Sequence, residues 1–238
     1  MAHVNDLLPL APGTEPDHTV WATANPFHRK SCHGRYAMAY LLAVRPQLAH
    51  QPLALGLPTR PFTVIDAPTG SGIGAAYLHE QLAAAAPGQA NVIGLDINDA
   101  AIEAARRTYP GPHYLAGDLI ATLDPINGSA DVIVCMEYLE HVSAAQARDS
   151  VAAIHAALRP GGTAVFTTPR HRPREHTVAR DHHIHEFYDE EFYYLIEEHF
   201  PLVQRLSFDR YANAIHYTAD ANLMVAIAHT WPATEVFA

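Results

Sequence analysis

The sequence of 238 residues lacks several features that mark special classes of protein. It has no run of about 18 uncharged apolar residues, so we expect no membrane-spanning helix. Its N-terminal segment does not combine a basic region with an apolar core, so we expect no signal peptide. Cys32 and Cys135 are the only cysteines, and their spacing fits no disulfide framework, metal motif or redox motif. Two isolated thiols favour the reducing cytoplasm.

Basic side chains are also scarce, with 15 Lys and Arg against 25 Asp and Glu and a formal net charge of −10. Such a surface repels the phosphate backbone, so we expect no nucleic-acid partner. We interpret the short basic stretch at residues 170–174 as a solvated loop rather than an anion site. Apolar residues make up 49% of the chain, which is enough for one large α/β domain.

The most informative stretch is residues 64–74, Val-Ile-Asp-Ala-Pro-Thr-Gly-Ser-Gly-Ile-Gly. It begins as an apolar run, continues as a glycine-rich loop and leads into an alanine-rich helical segment, residues 75–86. Glycines between a buried strand and a helix let the backbone approach a ligand, and the first helical turn offers N–H groups without helical partners. The stretch therefore predicts a ligand-binding turn.

Apolar segments alternate with helical segments along the rest of the chain. This alternation predicts an α/β fold with a mostly parallel sheet and helices on both faces. Seven strands are predicted, at residues 62–65, 91–95, 113–116, 130–136, 163–168, 202–208 and 223–229.

Helix signals occur between these strands and before the first. The segment 26–48 predicts an added N-terminal helix, with a loose arm at residues 1–25 before it and a linker at residues 51–61 after it. The other predicted boundaries are Asn98 or Asp99 as a cap, a capping box at Ser143 and Gln146, a helix stop at Gly161 and Gly162, and a helix start at Asp189.

The glycine loop alone does not identify its ligand. Residues 70–75 match the loose pattern G-x-G-x-x-G/A, and Asp96 lies where an acid could bind ribose hydroxyls. A nicotinamide or flavin dinucleotide and S-adenosylmethionine both fit. Asp66 favours the second, because a carboxylate at the strand's end would repel a pyrophosphate and attract the positive charges of S-adenosylmethionine. An NAD-type oxidoreductase remains the alternative.

Five segments, in order, resemble the motifs of the Rossmann-like (class I) S-adenosylmethionine-dependent methyltransferases of the small-molecule branch. They lie at residues 64–72, 93–97, 117–119, 136–142 and 158–163, and the region that contains them covers roughly half of the chain. Pro68 departs from the family's pattern, because it stands where the first glycine of the motif is usual. The resemblance implies a three-layer Rossmann-like sandwich with a seven-stranded, mostly parallel sheet.

The resemblance also implies how the first motif binds S-adenosylmethionine. Asp66 would lie near the methionine ammonium, while Gly70 and Gly72 would let the backbone approach the cofactor. Pro68 would alter the loop's contact with the methionine part. Arg35, in the N-terminal helix, would pair with the methionine carboxylate, and an exposed helix arginine is the alternative.

The next two motifs would bind the nucleoside of S-adenosylmethionine, whose product form is S-adenosylhomocysteine. The resemblance implies that Asp96 holds the ribose hydroxyls and that Ile97 lies against the adenine. Asp118 would accept a hydrogen bond from the adenine amino group, close to the N–H of Leu119.

Histidines near the fourth strand and in the loop after the fifth are the candidates for catalysis. Methyl transfer needs an aligned nucleophile, and a hydroxyl acceptor also needs a base that titrates near neutral pH. We predict His141, His183 and His185 for this role, with Glu137 at the end of the fourth strand.

A metal at these histidines is the alternative. His183 and His185 could bind a metal together with Asp181 or Glu186, but no strict ligand spacing is present, and we predict no metal.

The segment near residues 170–188 is rich in histidine and aromatic residues, and it predicts a small-molecule acceptor. The histidines favour methylation on oxygen, while nitrogen and carbon stay open as alternatives. We divide the chain into residues 1–61, an arm, helix and linker that cover the cofactor site, and residues 62–238, the methyltransferase domain. A homodimer is possible in this arrangement, and a relative that binds the cofactor without catalysis stays open as a second alternative.

Overall fold

The computed structural model describes residues 26–50, 60–171, 183–209, 212–216 and 221–230. Several predictions lie outside these ranges: the arm at residues 1–25, residues 51–59 of the predicted linker, and residues 172–182 of the predicted acceptor loop. Asp181, the possible metal ligand, falls in the last of these segments.

The centre of the fold is one mixed sheet. Its strands are β1 (Phe62–Asp66), β2 (Ala90–Asp96), β3 (His113–Ala116), β4 (Ala130–Met136), β5 (Leu158–Pro169), β6 (Leu202–Asp209), β7 (Ala214–His216) and β8 (Leu223–His229). Their order across the sheet is β3-β2-β1-β4-β5-β8-β6-β7. The first five are paired in parallel, and the last three are antiparallel to their neighbours, so the predicted mostly parallel sheet is confirmed.

The described part of the sheet has eight strands rather than the predicted seven. The additional strand, β7, has three residues and pairs with β6 at the edge of the sheet. So short a segment cannot show the alternation that identifies a strand from sequence.

The fifth strand begins earlier than predicted. β5 starts at Leu158 because this residue pairs with Ala130 of β4, before a register shift at Val132. The preceding helix consequently ends at Ala157, and the prediction that Gly161 and Gly162 stop it was wrong.

Seven α-helices surround the sheet in the described ranges. They are α1 (Pro26–Ala39), α2 (Arg45–Ala49), α3 (Ile73–Ala85), α4 (Asp99–Thr108), α5 (Leu119–Leu123), α6 (Ala144–Ala157) and α7 (Asp189–Glu197). A π-helical turn, Tyr40–Val44, joins α1 to α2, which confirms the added N-terminal helical segment. Among the described helices, none has the length and apolar character needed to span a membrane.

Two of the predicted helix starts are confirmed in detail. The Asn98 side chain accepts hydrogen bonds from the backbone N–H groups of Ala100 and Ala101 at the start of α4. Ser143 and Gln146 form the reciprocal capping box at the start of α6.

Alternate strand residues point into two separate apolar cores, one on each face of the sheet. On one face, Val64 and Val132 pack with residues of α1 to α4, such as Leu78 and Ile102. On the other face, Ile65 and Ile133 pack with residues of α5 to α7, such as Leu123, Ile154 and Phe192. These two cores account for the three-layer arrangement.

The carboxyl ends of the parallel strands lie together at one edge of the sheet. The chain order changes direction there, since β2 and β3 lie on one side of β1 while β4 and β5 lie on the other. Open α/β sheets bind their ligands at such a switch point. Asp66 ends β1 and Asp96 ends β2, so both predicted acids stand at this edge.

Candidate active site

The loop after β1 has the backbone conformation that its glycines predict. Gly70 and Gly72 have φ values of 53° and 80°, in the left-handed region that favours glycine. A Cβ on Gly72 would lie 2.6 Å from the Cβ of Ala105, whereas a Cβ on Gly70 would meet nothing within 4 Å. The loop therefore packs tightly on α4 and borders open space at Gly70, where a ligand could approach. The peptide bond between Ala67 and Pro68 is cis.

Helix α1 contacts this loop through Tyr36. The Tyr36 hydroxyl donates a 2.7 Å hydrogen bond to Asp66 Oδ1, and a Cβ added to Gly74 would lie 1.9 Å from the Tyr36 ring. Burial, with a further contribution from the charge of Asp66, raises the pKa of Tyr36 well above its usual value, so the hydroxyl stays a donor. Gly74 thus makes room for the ring that connects α1 to the end of β1.

The Asp66 carboxyl is held inside the protein. It is fully buried and accepts hydrogen bonds from Tyr36 and from the Thr69 hydroxyl, the second at 2.6 Å. Burial raises the pKa of Asp66 to about 7, although the hydrogen bonds from Thr69 and Tyr36 act in the opposite direction. The carboxyl is therefore partly protonated near neutral pH. It repels a phosphate ligand less than the fully ionised carboxylate assumed from the sequence would.

Asp96 connects the two loops at the carboxyl ends of β1 and β2. Its Oδ2 accepts a 2.7 Å hydrogen bond from the Gly70 N–H, and its Oδ1 accepts a 2.9 Å hydrogen bond from the Asn98 N–H. Each carboxylate oxygen retains capacity for a further donor, such as a ribose hydroxyl. Ile97, beside it, is 72% exposed and offers an uncovered apolar surface.

Asp118 and Leu119 lie at the next loop along this edge. Asp118 is the N-cap of α5, and its side chain accepts a 3.0 Å hydrogen bond from the Ala121 N–H. Leu119 is the first residue of α5, so its N–H has no acceptor within the helix and can donate elsewhere.

Arg35 and Glu137 meet between α1 and the end of β4. The Arg35 guanidinium is buried, with one nitrogen 3.6 Å from Glu137 Oε2 and another donating to Cys32 Sγ. Its Nε is buried and has no hydrogen-bond partner among the described residues. Glu137 has a φ of 53° although it is not a glycine, and it accepts a 3.0 Å hydrogen bond from the Thr167 hydroxyl. Strained backbone of this kind is common where a side chain is held for function.

Two of the three predicted histidines come together. The His141 and His183 rings lie edge to face with 5.0 Å between their centroids. His141 Nε2 is 4.0 Å from Glu140 Oε1, which places a carboxyl beside the pair. His185 is directed elsewhere, since its Nε2 lies 2.6 Å from Glu191 Oε1 at the start of α7. Glu186 approaches His183, with 3.6 Å between its Oε1 and His183 Nδ1.

Glu140 is the site residue that the sequence did not single out. It is 1% exposed, and the Thr168 hydroxyl donates a 2.9 Å hydrogen bond to its Oε2. Burial raises the pKa of Glu140 to about 8, and the negative charge of Glu137 contributes in the same direction. The sequence signal for Glu140 was its position directly before His141, after the end of a strand. That its side chain is buried cannot be predicted from a single acidic residue in a short turn.

The comparisons with known proteins agree with this geometry. Residues 64–162 match the family model described as a methyltransferase domain. No curated protein matches the sequence. Many solved structures share the fold, and several of them are methyltransferases.

A SAM dependent methyltransferase from Aquifex aeolicus has 12% sequence identity and a TM-score of 0.58, over 92% of this chain and 100% of the other. One from Archaeoglobus fulgidus has 14% identity and a TM-score of 0.56, over 76% of this chain and 91% of the other. An O-methyltransferase family protein from Burkholderia thailandensis has 15% identity and a TM-score of 0.54, over 80% of this chain and 57% of the other. At these identities the likeness shows the fold.

The family match covers β1 to the start of β5, which is the part of the chain that carries the glycine loop, Asp96, Asp118 and His141. The sheet order, the glycine loop and the matched segment are therefore consistent with one another. Residues 64–162 match the methyltransferase-domain family, and solved S-adenosylmethionine-dependent methyltransferases share the fold of the described chain.

Proposed function

We propose that this enzyme transfers the methyl group of S-adenosylmethionine to a hydroxyl oxygen of a small-molecule acceptor. The observation that carries the proposal is the proximity of His141 to His183 at the carboxyl edge of the sheet, after the strands that carry the cofactor loop. An imidazole is a side chain that can accept a proton in general acid–base catalysis. A hydroxyl acceptor needs such a base because it must lose its proton, whereas an acceptor that is already nucleophilic does not.

The cofactor half of the site consists of the loops after β1, β2 and β3. Asp96 would bind the ribose hydroxyls while its two backbone donors hold it in place. Ile97 supplies an exposed apolar surface for the adenine, and Asp118 with the Leu119 N–H supplies an acceptor and a donor for the base edge. Asp66 supports the loop from inside, because its oxygens are occupied by Tyr36 and Thr69.

The methionine end would lie beside α1. Arg35 has a buried Nε without a hydrogen-bond partner among the described residues, and a carboxylate is the group that satisfies a buried guanidinium best. Through Arg35 and Tyr36, α1 contributes to the site from the N-terminal segment, and we propose that this helix covers the cofactor.

The acceptor half consists of the ends of β4 and β5 and the segment that follows residue 182. S-adenosylmethionine supplies a methyl group activated by its sulfonium. The acceptor oxygen bonds to the methyl carbon as the carbon–sulfur bond breaks, and the hydroxyl proton passes to an imidazole nitrogen of His141. His183, in contact with His141, positions its ring, while Glu137 pairs with Arg35 where the two halves of the site meet.

A small acceptor agrees with the charge of the molecule. The net charge of −10 repels nucleic acids, and one neighbour in fold is described as an O-methyltransferase family protein. We propose oxygen as the atom methylated and a small molecule as the partner.

Two experiments test the proposal in sequence. Calorimetric titration should show binding of S-adenosylhomocysteine and none of NADH; the reverse result would establish the oxidoreductase alternative. Incubation with methyl-labelled S-adenosylmethionine and an ultrafiltered small-molecule extract should then transfer label to a product that survives as an ether or ester. Cofactor binding without any transfer would support the alternative of a non-catalytic relative.

A further inference from the structure

Three side chains, two in the turn after β4 and one in the segment after residue 182, lie close together. Glu140, His141 and His183 each offer one ligand atom, and these atoms all lie within 4.8 Å of one another. His141 follows Glu140 in a turn of 3₁₀ helix, Leu139–His141, whereas His183 belongs to the segment between β5 and α7. Among the described residues, no other group of three such side chains is this close.

Glu140 gives the cluster its second, independent indication of a ligand. Its Oε1 is buried, faces His141 Nε2 at 4.0 Å and has no hydrogen-bond partner among the described residues. A buried carboxyl oxygen without a hydrogen-bond partner is costly unless a cation or a hydrogen bond compensates it.

The backbone holds the two parts of the cluster in register. The N–H groups of Ile184 and His185 donate to the Glu140 carbonyl at 2.8 and 3.1 Å, so the segment with His183 is fastened to the turn with Glu140. Glu186 Oε1 lies 3.6 Å from His183 Nδ1, which places a second carboxylate beside the cluster.

We propose that Glu140, His141 and His183 bind one divalent transition-metal ion of the Zn²⁺ class. Two imidazoles and one carboxylate are a donor set that suits zinc and its neighbours, whereas Mg²⁺ favours oxygen ligands. Ligand atoms around Zn²⁺ are about 3.4 Å apart, so side-chain rotations that close each gap by at most about 1.4 Å suffice. Three protein ligands leave one position open, as in catalytic zinc sites.

The sequence predicts no metal, and its local spacing does not indicate the cluster proposed here. The pair weighed there was His183 with His185, but His185 lies against Glu191. The cluster instead joins His183 to residues 140 and 141, which are distant in the chain, and no local spacing can indicate such a contact.

The consequence for catalysis rests on the proposed function. An acceptor hydroxyl in the open position would have its pKa lowered by the cation, as metals do for water. Its proton would then leave to solvent, the oxygen would bond to the methyl carbon, and the carbon–sulfur bond would break. In that form His141 and His183 serve as ligands, and the cation replaces the imidazole base.

Zinc binding by the full-length protein tests the inference directly. Bound metal is removed from the protein with a chelator, the chelator is removed by dialysis, and the protein is titrated calorimetrically with ZnCl₂. We expect one tight equivalent and a loss of affinity on the order of ten-fold or more in Glu140→Gln and His183→Ala. His185→Gln, a matched change in the same segment, should retain the tight equivalent. Co²⁺ should give the intense visible absorption of a four-coordinate site in the parent and in His185→Gln alone.

Each outcome decides the inference. Absence of a tight equivalent in the parent, or unchanged affinity in both ligand variants, overturns it, and displacement of Zn²⁺ by equimolar Mg²⁺ overturns the choice of metal class. Far-UV circular dichroism checks that the variants fold. If Glu140→Gln does not fold, the Co²⁺ spectrum of His183→Ala tests the inference in its place, and an unchanged spectrum overturns it. Failure of S-adenosylhomocysteine binding with intact zinc binding would instead overturn the proposed function.

Discussion

At the scale of single residues, Asp96 holds two loops of the sheet edge together, and under the proposed function it would also bind the ribose. It fixes the Gly70 and Asn98 backbones through one oxygen each, and it presents the charge that would bind ribose hydroxyls. Charge-assisted hydrogen bonds are about twice as strong as neutral ones. Under the proposed function, the residue would couple the shape of the glycine loop to the affinity for the cofactor.

The first prediction concerns this coupling. Asp96→Ala should weaken binding of S-adenosylhomocysteine on the order of ten-fold or more, because it removes both loop contacts and the ribose contact. Isothermal titration calorimetry measures the affinity. Glu103→Ala, an exposed acid on α4, is the matched control and should bind like the parent. Equal affinity of all three proteins would rule out the assignment of Asp96.

The second prediction concerns Asp66 and pH. Its pKa in the folded protein is about 7, above the value of about 4 for an unfolded chain. Between these values the folded state holds more protons than the unfolded state, so Asp66 makes the free energy of unfolding fall as pH rises through this window. An Asp66→Asn variant has no titrating group at this position, so its stability relative to the parent should increase from pH 5 to pH 8.

Urea denaturation of both proteins at several pH values measures this difference. The expected change is roughly one to a few kcal/mol, since one pKa unit corresponds to about 1.4 kcal/mol. Asp131→Asn is unsuitable as a control because Arg60 and Arg159 surround that carboxylate, whereas the exposed Asp99→Asn is suitable. A stability difference that does not vary with pH would contradict the raised pKa of Asp66.

What could be predicted for single residues depended on whether their role is local. The positive φ values of Gly70 and Gly72 follow from a tight strand-to-helix turn, and the sequence indicated them. The hydrogen bond from Tyr36 to Asp66 joins residues 30 positions apart, so the two residues meet only in the folded protein. Asp66 could therefore be placed at the strand end from sequence, but its inward orientation could not.

At the scale of elements, α1 and the loop after β1 form one packed unit. Gly74 has no room for a side chain because the Tyr36 ring occupies the position of its Cβ. The same ring carries the hydroxyl that binds Asp66. Any change that displaces the ring must therefore disturb both α1 and the cofactor loop.

The third prediction tests this unit with a double-mutant cycle. Gly74→Ala should lower the free energy of unfolding by about 1–3 kcal/mol, since an added methyl group collides with the ring. In the Tyr36→Ala background the same change should cost much less, because the ring is gone. Chemical denaturation of the four proteins gives the coupling energy. Additive effects would show that Gly74 and Tyr36 do not meet in solution.

Helices and strands could be predicted where a long hydrophobic pattern marks them. They could not be predicted where pairing with a neighbouring strand determines that a strand forms. The buried strands β1 and β4 and the stripe of α6 have clear periodicity, and the structure confirms them. β7 and the early start of β5 exist because a neighbouring strand offers hydrogen-bond partners there. Strand pairing of this kind is a tertiary effect, and a single sequence carries little signal for it.

At the scale of the whole molecule, the sheet order separates the site into two halves. Asp96 and Asp118 follow β2 and β3 on one side of β1, while His141 follows β4 on the other, with His183 beside it. The connection between the halves is the loop after β1 and its contacts with α1. Residues of one half should therefore affect cofactor binding, and residues of the other half should affect turnover.

The fourth prediction is that these effects separate in steady-state kinetics. His141→Ala should lower kcat on the order of a hundred-fold, because it removes the proposed base or, with Zn²⁺ bound, a ligand of the cation that activates the hydroxyl. Its affinity for S-adenosylhomocysteine should match that of the parent. Asp96→Ala should instead raise KM for S-adenosylmethionine, with part of its kcat recovered at saturating cofactor. His155→Ala, in which a ring packed on Phe200 is lost from α6, is the control and should keep the parent's kinetics. A variant of His141 that loses cofactor affinity and turnover together would mean that the two halves act as one, and the division of roles drawn from the sheet order would fail.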